Sequence, residues 1–367
     1  MSLAIVPYSP ADIPAIERFN ERLRAVGTEY RFPCRPADLM PQGPGVGPIV
    51  HDLFVAKDTD TVRGGYALKR ETLLVAGQPE SLSNLQIPLS EALIDRAYAN
   101  VGAAMVFDAA RRAKAIYCLG MGSAERPLPQ LLARLRWRIE RVPFRFRVLR
   151  ANNFFREIRF LRTRRPIALL ADLVRFSGLA QLGVAGWRGA AALAMRPAAG
   201  LRIEVVSAFD ARVDDLQAAV AGEYPLMCER GAAALNQKFP QADQRLNKLT
   251  IWRGDAMVGW LLLTCTQLSD HKQFGSMKLG CIADGLCGES DVAALVSLAV
   301  DWLRVRGADL VVSNQSHSAW LSGLRRNLFM DGPSNFVLAL SPGLAIRAPA
   351  LDRCHFNRGD GDGPINL

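Results

Sequence analysis

The chain has 367 residues, 50% of them hydrophobic and 22% charged, with a formal net charge of +10. That length exceeds one ordinary core, so two domains are expected, and the composition excludes a largely disordered protein. The N-terminus, "MSLAIVPYSPADIP", lacks the basic and apolar regions of a secretory signal, and no uncharged apolar run is long enough to cross a bilayer.

In chain order, the first half opens with a strand at Leu3 to Val6 and a helix capped by Asp12, with Ile16, Phe19 and Leu23 on one face. A Pro/Gly-rich loop, 33–48, follows. Then come three strand-like segments, "DLFVAK", "YALKRETLLVAG" and "SLSNLQIPLSE". After a short turn, Val101 to Lys114 is helical in pattern and "AIYCLGM" reads as a buried strand. Pro127 begins a helix with Leu128, Leu131, Leu135 and Ile139 inward and Arg134, Arg138 and Arg141 outward; "FRFRVLR" alternates like a strand.

The second half repeats the order: a strand in "LRIEVVSAF", a helix from Asp210, and a hairpin turning at Gly254-Asp255. Next are the strand "SMKLGCIAD", a glycine-bearing turn "DGLCGES", and a helix capped by Ser290 and ended by Gly307. A strand, a helix and the strand "NFVLALS" close it. Both halves place a glycine-aromatic pair after a hairpin turn, Gly65-Tyr66 and Gly259-Trp260, which points to an internal duplication.

Between the halves, residues 161–199 are apolar, rich in small residues and flanked by arginine. They read as a helical linker that packs between domains or lies on an anionic membrane surface through 162–197. The arginine-rich run from Arg134 to Arg165 is either a polyanion-binding face or a solvated one. Seven scattered cysteines without a CxxC pair suggest neither a disulfide framework nor a metal site, and fit a reducing cytoplasm.

This order of elements resembles the Gcn5-related N-acetyltransferases (GNATs) in tandem: an α/β (α+β) chain of two GNAT-like domains, each a mixed, mostly antiparallel sheet flanked by helices. The expected divisions are 1–160, a linker over 161–199, a second domain over 200–345 and a tail over 346–367. The layout and the ending "FNRGDGDGPINL" also look like double-GNAT proteins of bacterial exopolysaccharide export systems.

The resemblance implies acetyl-CoA or another acyl-CoA as donor, and an amino sugar, polysaccharide precursor or similar small saccharide acceptor. It implies a cytoplasmic enzyme, peripheral to the inner membrane if the linker meets lipid. One alternative is a FemABX-like aminoacyl or peptidyl transferase, whose basic surface would take tRNA; nucleic acid is otherwise not an expected partner. Another is a non-catalytic, membrane-docking adaptor with degenerate GNAT domains.

In the family, the turn after the fourth strand binds the cofactor's pyrophosphate. Here it reads Arg96-Ala97-Tyr98-Ala99-Asn100-Val101-Gly102, with the glycine one residue late and Val101 where a glycine belongs. The first turn of a helix offers unpaired N–H groups and partial positive charge. Arg96, Ala99, Asn100, Val101, Gly102 and Ala103 are therefore the candidate cofactor residues. Glu91, ending the preceding strand, is the candidate general base or an exposed strand-end carboxylate, with Ser90 and Asp95 as alternatives; the resemblance implies a tyrosine as acid, for which Tyr98 lies in the turn itself. The second copy of the turn, Asp284 to Glu289, carries two carboxylates and is expected to be degenerate for CoA. Asn314 and His317, after a buried strand, form a candidate second-domain site or a helix cap. The tail reads as an ordered strap, and no resident metal is expected.

Overall fold

A computed structural model describes residues 3–39, 47–159 and 200–361. The helical, membrane-facing reading of 162–197 falls outside those residues, as do Arg162, Arg164 and Arg165.

In the first sheet, Leu3–Pro7 (β1), Val50–Asp58 (β2), Thr61–Val75 (β3) and Gln78–Ser90 (β4) are antiparallel in succession, and Ile116–Leu119 (β5) joins β4 in parallel. Ile13–Ala25 (α1) packs Ile16, Phe19 and Leu23 on one face of it, with Leu53, Val55 and Ala67. Ala99–Arg112 (α2) packs Val101, Met105, Val106 and Ala109 on the other, with Tyr66, Leu68 and Leu85. Both stripes follow the 3.6-residue period of a half-buried helix. Ser9, not Asp12, starts the first helical stretch: Ser9 Oγ accepts from Ala11 N–H, and Asp12 reaches back to accept from Ser9 N–H.

The helix Pro127–Arg134 (α3) is shorter than its pattern suggested. Arg136 adopts a left-handed φ of 62°, and Arg138–Arg141 (β6) is a strand, so Ile139, Arg138 and Arg141 lie on a sheet edge.

The second sheet contains Leu201–Val206 (β8), Leu246–Arg253 (β10), Ala256–Gln267 (β11), Lys278–Cys287 (β12) and Leu310–Asn314 (β13). Ala151–Glu157 (α4) follows the strand at 144–148 in the chain, and Ala232–Lys238 (α6) lies between Arg212–Val220 (α5) and Val292–Val305 (α7). Helices α5 and α7 bury Val213, Leu216, Leu295, Val296 and Leu303 in the core of this sheet, and Ser318–Arg326 (α8) adds Trp320 and Leu324. The expected turn "DGLCGES" is mostly strand, because β12 stays extended to Cys287.

The two sheets exchange their closing strands. Phe144–Val148 (β7), from the first half, pairs with β13 and is flanked by Met330–Gly332 (β14). Val337–Leu340 (β15), from the second half, sits between β5 and β6. The chain crosses at Val142-Pro143: Val142 N–H donates to Phe336 O, and Pro143, which has no N–H, accepts from Gln315 N–H. A hairpin of β6 with β7 is thereby replaced by partners on both sides. Leu226–Cys228 (β9) adds to β3, and the tail strand Cys354–His355 (β16) runs parallel to β9. The division at 160/200 thus marks the linker, while each sheet draws strands from both sides of it.

Part of the arginine run is engaged by other groups of the structure. Arg138 donates to the carbonyls of Ala348 and Pro349, Arg145 pairs with Asp331 at 2.5 Å, and Arg147 donates to Asn327 O. Arg141 and Arg159 pair with Glu125 and Asp270. These contacts favour a structural role over a free polyanion-binding face for that part of the run.

Candidate active site

In the first sheet, β4 and β5 pair only at Ser83–Ile116 and Asn84–Tyr117. Beyond that, β5 continues with β15 while β4 continues with β3, so the two strands part as a wedge. The Cys118 thiol donates to Leu85 O at 3.0 Å at its apex. Further along, β4 bulges: Gly65 faces Leu89 and Ala67 faces Gln86, with Ile87 at a φ of 47°. Pro88, lacking an N–H, interrupts the ladder there. A groove of about 620 Å³ between α1 and the 31–39 loop reaches Ile87, lined also by Glu17, Asn20, Glu21, Phe32 and Cys34.

The open end of the wedge meets the start of α2. Ala99 and Asn100 are exposed, Gly102 and Ala103 are half-buried, and no side chain caps the helix. A methyl group on Gly102 would come no nearer than 3.7 Å to Ser90 Oγ, so the glycine leaves a small recess. Arg96 is exposed in the preceding turn, capped by Asp95, and has no ion-pair partner among the described residues. Val101 differs from its expected role: its side chain is buried against the sheet, and only its main chain can face a ligand.

The expected catalytic residues fare less well. Glu91 is 3% exposed and clamped, with Oε1 accepting from Arg22 Nε at 2.7 Å and Oε2 from Arg63 at 2.9 Å. Glu91 thus tethers α1, β3 and the turn, with both carboxylate oxygens engaged. Tyr98 packs under the Arg63 guanidinium, 4.5 Å from its ring centre. Ser90, Glu91 and Tyr98 lie at the helix end of the wedge, with Ser90 three residues past Ile87.

The second sheet repeats the frame. β12 and β13 pair at Leu279–Leu310, Gly280–Val311 and Cys281–Val312 and then part, and Ser313 Oγ–H donates to Ile282 O at 2.9 Å where Cys118 does so in the first half. Here the wedge is occupied by the tail. Asn357 donates to Asp284 Oδ1 and His355 Nε2–H to Gly285 O on the β12 side. Phe356 exchanges hydrogen bonds with Ser316, and Arg358 donates to Asn314 Oδ1, on the β13 side.

Asn314 and His317 therefore do not form a free site. Asn314 anchors the tail, and His317 Nδ1 accepts from Ala319 N–H as the cap of α8. Burial holds His317 down to about 4, so it is neutral at pH 7. The helix start of α7 is covered too: Glu289 N–H donates to Glu223 Oε2 at 2.5 Å, and Asp291 pairs with Arg253.

A buried ion network pins the tail between the sheets. Arg230 donates to Asp284 and to Asp360 (2.7 Å), and Lys238 reaches Glu71 (3.0 Å) and Asp360 (3.7 Å). Lys69 also pairs with Glu71, and Tyr117 O–H donates to the same carboxylate. Although burial opposes its charge, Arg230 and Lys238 hold Asp360 down to about 2; Asp284, whose burial outweighs its share of Arg230, is pushed up. Sequence reasoning did not identify this network. Its one visible trace was the polar period-two pattern inside buried strands, Lys69 and Glu71 in "ALKRETLL" and Asn84 and Gln86 in "SNLQ".

No protein-family model matches the chain, and no curated protein matches it. Solved structures do. A Gcn5-related N-acetyltransferase from Anabaena variabilis shares 12% identity at a TM-score of 0.54, over 92% of this chain and 72% of that one. A tandem GNAT protein from the clavulanic acid biosynthesis pathway shares 13% at 0.50, over 95% of this chain and 100% of that one. Saccharomyces cerevisiae N-myristoyltransferase with bound myristoyl-CoA shares 11% at 0.50, over 97% and 84%. With its two wedge-bearing sheets, the chain has the tandem GNAT fold.

Proposed function

We propose that the chain is an acyl-CoA-dependent acyltransferase whose first half holds the cofactor. The carrying observation is the contrast between the wedges: one opens onto an uncapped helix start lined by small residues, and the other is filled by the chain's own tail. The diphosphate would take the N–H groups of Asn100 and Val101, approaching over Gly102, with Arg96 adding charge. The pantetheine arm would run along β4 into the wedge and deliver the thioester to the bulge at Ile87. The acceptor nitrogen or oxygen attacks the carbonyl carbon there, the C–S bond breaks, and CoA leaves as the thiol with the proton that the nucleophile gives up. The Ile87 N–H, turned aside by the bulge, is the candidate donor to the carbonyl oxygen.

The acyl-CoA assignment draws on the similar fold that holds myristoyl-CoA; the acyl chain length stays open between acetyl and longer groups. An amino sugar or polysaccharide precursor is the proposed acceptor. None of the seven cysteines is in a disulfide, which suits a reducing cytoplasm. No helix among the described residues is long and apolar enough to cross a membrane.

Calorimetric titration of the full chain with CoA tests this reading. One site per chain is expected. Absence of heat and of thermal stabilisation would sink it, and two sites per chain would show that the tail does not close the second wedge.

A further inference from the structure

His51, Lys69, Asn84 and Tyr117 stand directly opposite one another across β2, β3, β4 and β5. Directly opposed residues project from the same sheet face, so this is a polar row on a buried surface, at the apex of the open wedge. Lys69 and Tyr117 are served by Glu71. His51 Nε2–H donates to Gln86 Oε1 at 3.1 Å, which leaves Nδ1 as an acceptor. Three atoms remain. His51 Nδ1 and both amide atoms of Asn84, a residue 0% exposed, are buried without a hydrogen-bonding partner among the described residues. Buried amides are rarely left so, because the lost hydration is not replaced.

The fold does not require this row. The same register in the second sheet holds Leu246, Thr264, Cys281 and Val312, with neither imidazole nor amide. Within this row, the amide and the imidazole belong to the half whose wedge is open. Asn84 lies three residues from Ile87, about 10 Å along the strand, which is within the span of a small acceptor poised at the bulge.

The unpartnered atoms also define a chemistry. They are one donor, Asn84 Nδ2, and two acceptors, Asn84 Oδ1 and His51 Nδ1. The adjoining ionic network balances three cations, Lys69, Lys238 and Arg230, against Glu71, Asp284 and Asp360, so it offers an anion no net attraction. A carboxylate can accept only, and would leave both acceptors unserved. An alkyl chain serves none of the three atoms. A pair of hydroxyl groups, each donating one hydrogen bond and able to accept, serves all three.

We propose that Asn84 and His51 recognise the hydroxyl groups of the acceptor, which makes the substrate class a polyhydroxylated amine. This inference rests on the acyltransferase reading above and names the substrate side of the same site.

The test measures thiol release by the full chain with acetyl-CoA and then myristoyl-CoA as donor, and D-glucosamine, glycine and n-butylamine as acceptors. CoA affinity is measured in parallel. D-glucosamine should be the preferred acceptor. Asn84→Leu should raise its KM about tenfold or more, the usual cost of hydrogen bonds lost at a buried site. The same variant should leave the CoA Kd within about twofold and should not lower Tm, since the change removes a buried amide with no partner. If Asn84→Leu does not fold, His51→Gln makes the same comparison. A wild-type chain that binds CoA but uses D-glucosamine no better than the other two amines, or not at all, overturns the proposal. So does an unchanged D-glucosamine KM in the variant. A chain that binds no CoA overturns instead the reading on which the proposal rests.

Discussion

In the first half, β4 and β5 part after Asn84–Tyr117, and the thiol of Cys118 closes the apex. In the second, β12 and β13 part after Cys281–Val312, the hydroxyl of Ser313 closes the apex, and the segment Phe356 to Arg358 lies between the strands. The duplicated frame leaves each copy with the same gap of unpaired strand edges. Such edges need partners. Among the described residues no segment pairs into the first gap, and the second is filled by main chain and side chains from the C-terminal part of the chain. Filling the gap also buries Phe356 completely, a contribution of about 1.5–3 kcal/mol. The second half thereby becomes a platform that fixes the tail, the ion network and the strand β15 that borders the open wedge.

The comparison is broken most severely by removing the guanidinium at the centre of the seal. Arg230→Ala should cost about 3–5 kcal/mol in denaturant unfolding, because Asp284 and Asp360 stay buried without their shared cation. A cost near zero would mean the tail is not held as described. A carboxylate at the open helix start is the next largest change. Gly102→Glu should weaken CoA binding about 100-fold, about 2.7 kcal/mol, whereas Glu223→Gln at the closed helix start should leave it unchanged; calorimetry on both variants decides whether the halves differ as claimed.

Acidification should loosen the seal in two stages. His317, held down to about 4 by burial, is neutral when folded and takes a proton more readily when unfolded. Its contribution is present above the unfolded value near 6.5 and is lost as pH falls towards 4, on the order of 2 kcal/mol; His51 in the first half, also lowered to about 4, acts in the same window. Asp360, lowered to about 2, contributes above 4 and is lost between about 4 and 2. Urea midpoints against pH should show both limbs, and His317→Gln should make the upper one shallower, with the share of His51 remaining, without moving the lower. The smallest effect sharpens the electrostatics of the open wedge. Arg96→Ala should weaken CoA about three- to fivefold at low salt and less at high salt, as befits an exposed charge; a salt-independent loss would place Arg96 in a buried contact instead.

The periodic elements were legible before folding. The stripes of α1, α2 and α7, the hairpin at Gly254-Asp255 and the matched pairs Gly65-Tyr66 and Gly259-Trp260 carry local signals, because helix and strand periods are written in neighbouring residues. The small residues at the start of α2 and the two carboxylates of the second turn were visible for the same reason. The surroundings of Glu91 were not legible, because its position at a strand end looks exposed while Arg22 and Arg63, distant in sequence, converge on it.

By itself the amino-acid sequence determined the repeated order of strands and helices, the duplication and the contrast between one basic and one acidic strand-to-helix turn. Each depends on spacing within about a dozen residues, the range over which hydrophobic period and capping act. Only the tertiary structure decided the exchange of β7 and β15, the placement of the tail in the second wedge and the alignment of His51 with Asn84. Those depend on strand register and on ion pairs between residues as far apart as Arg230 and Asp360, whose meeting is set by the packing of whole sheets.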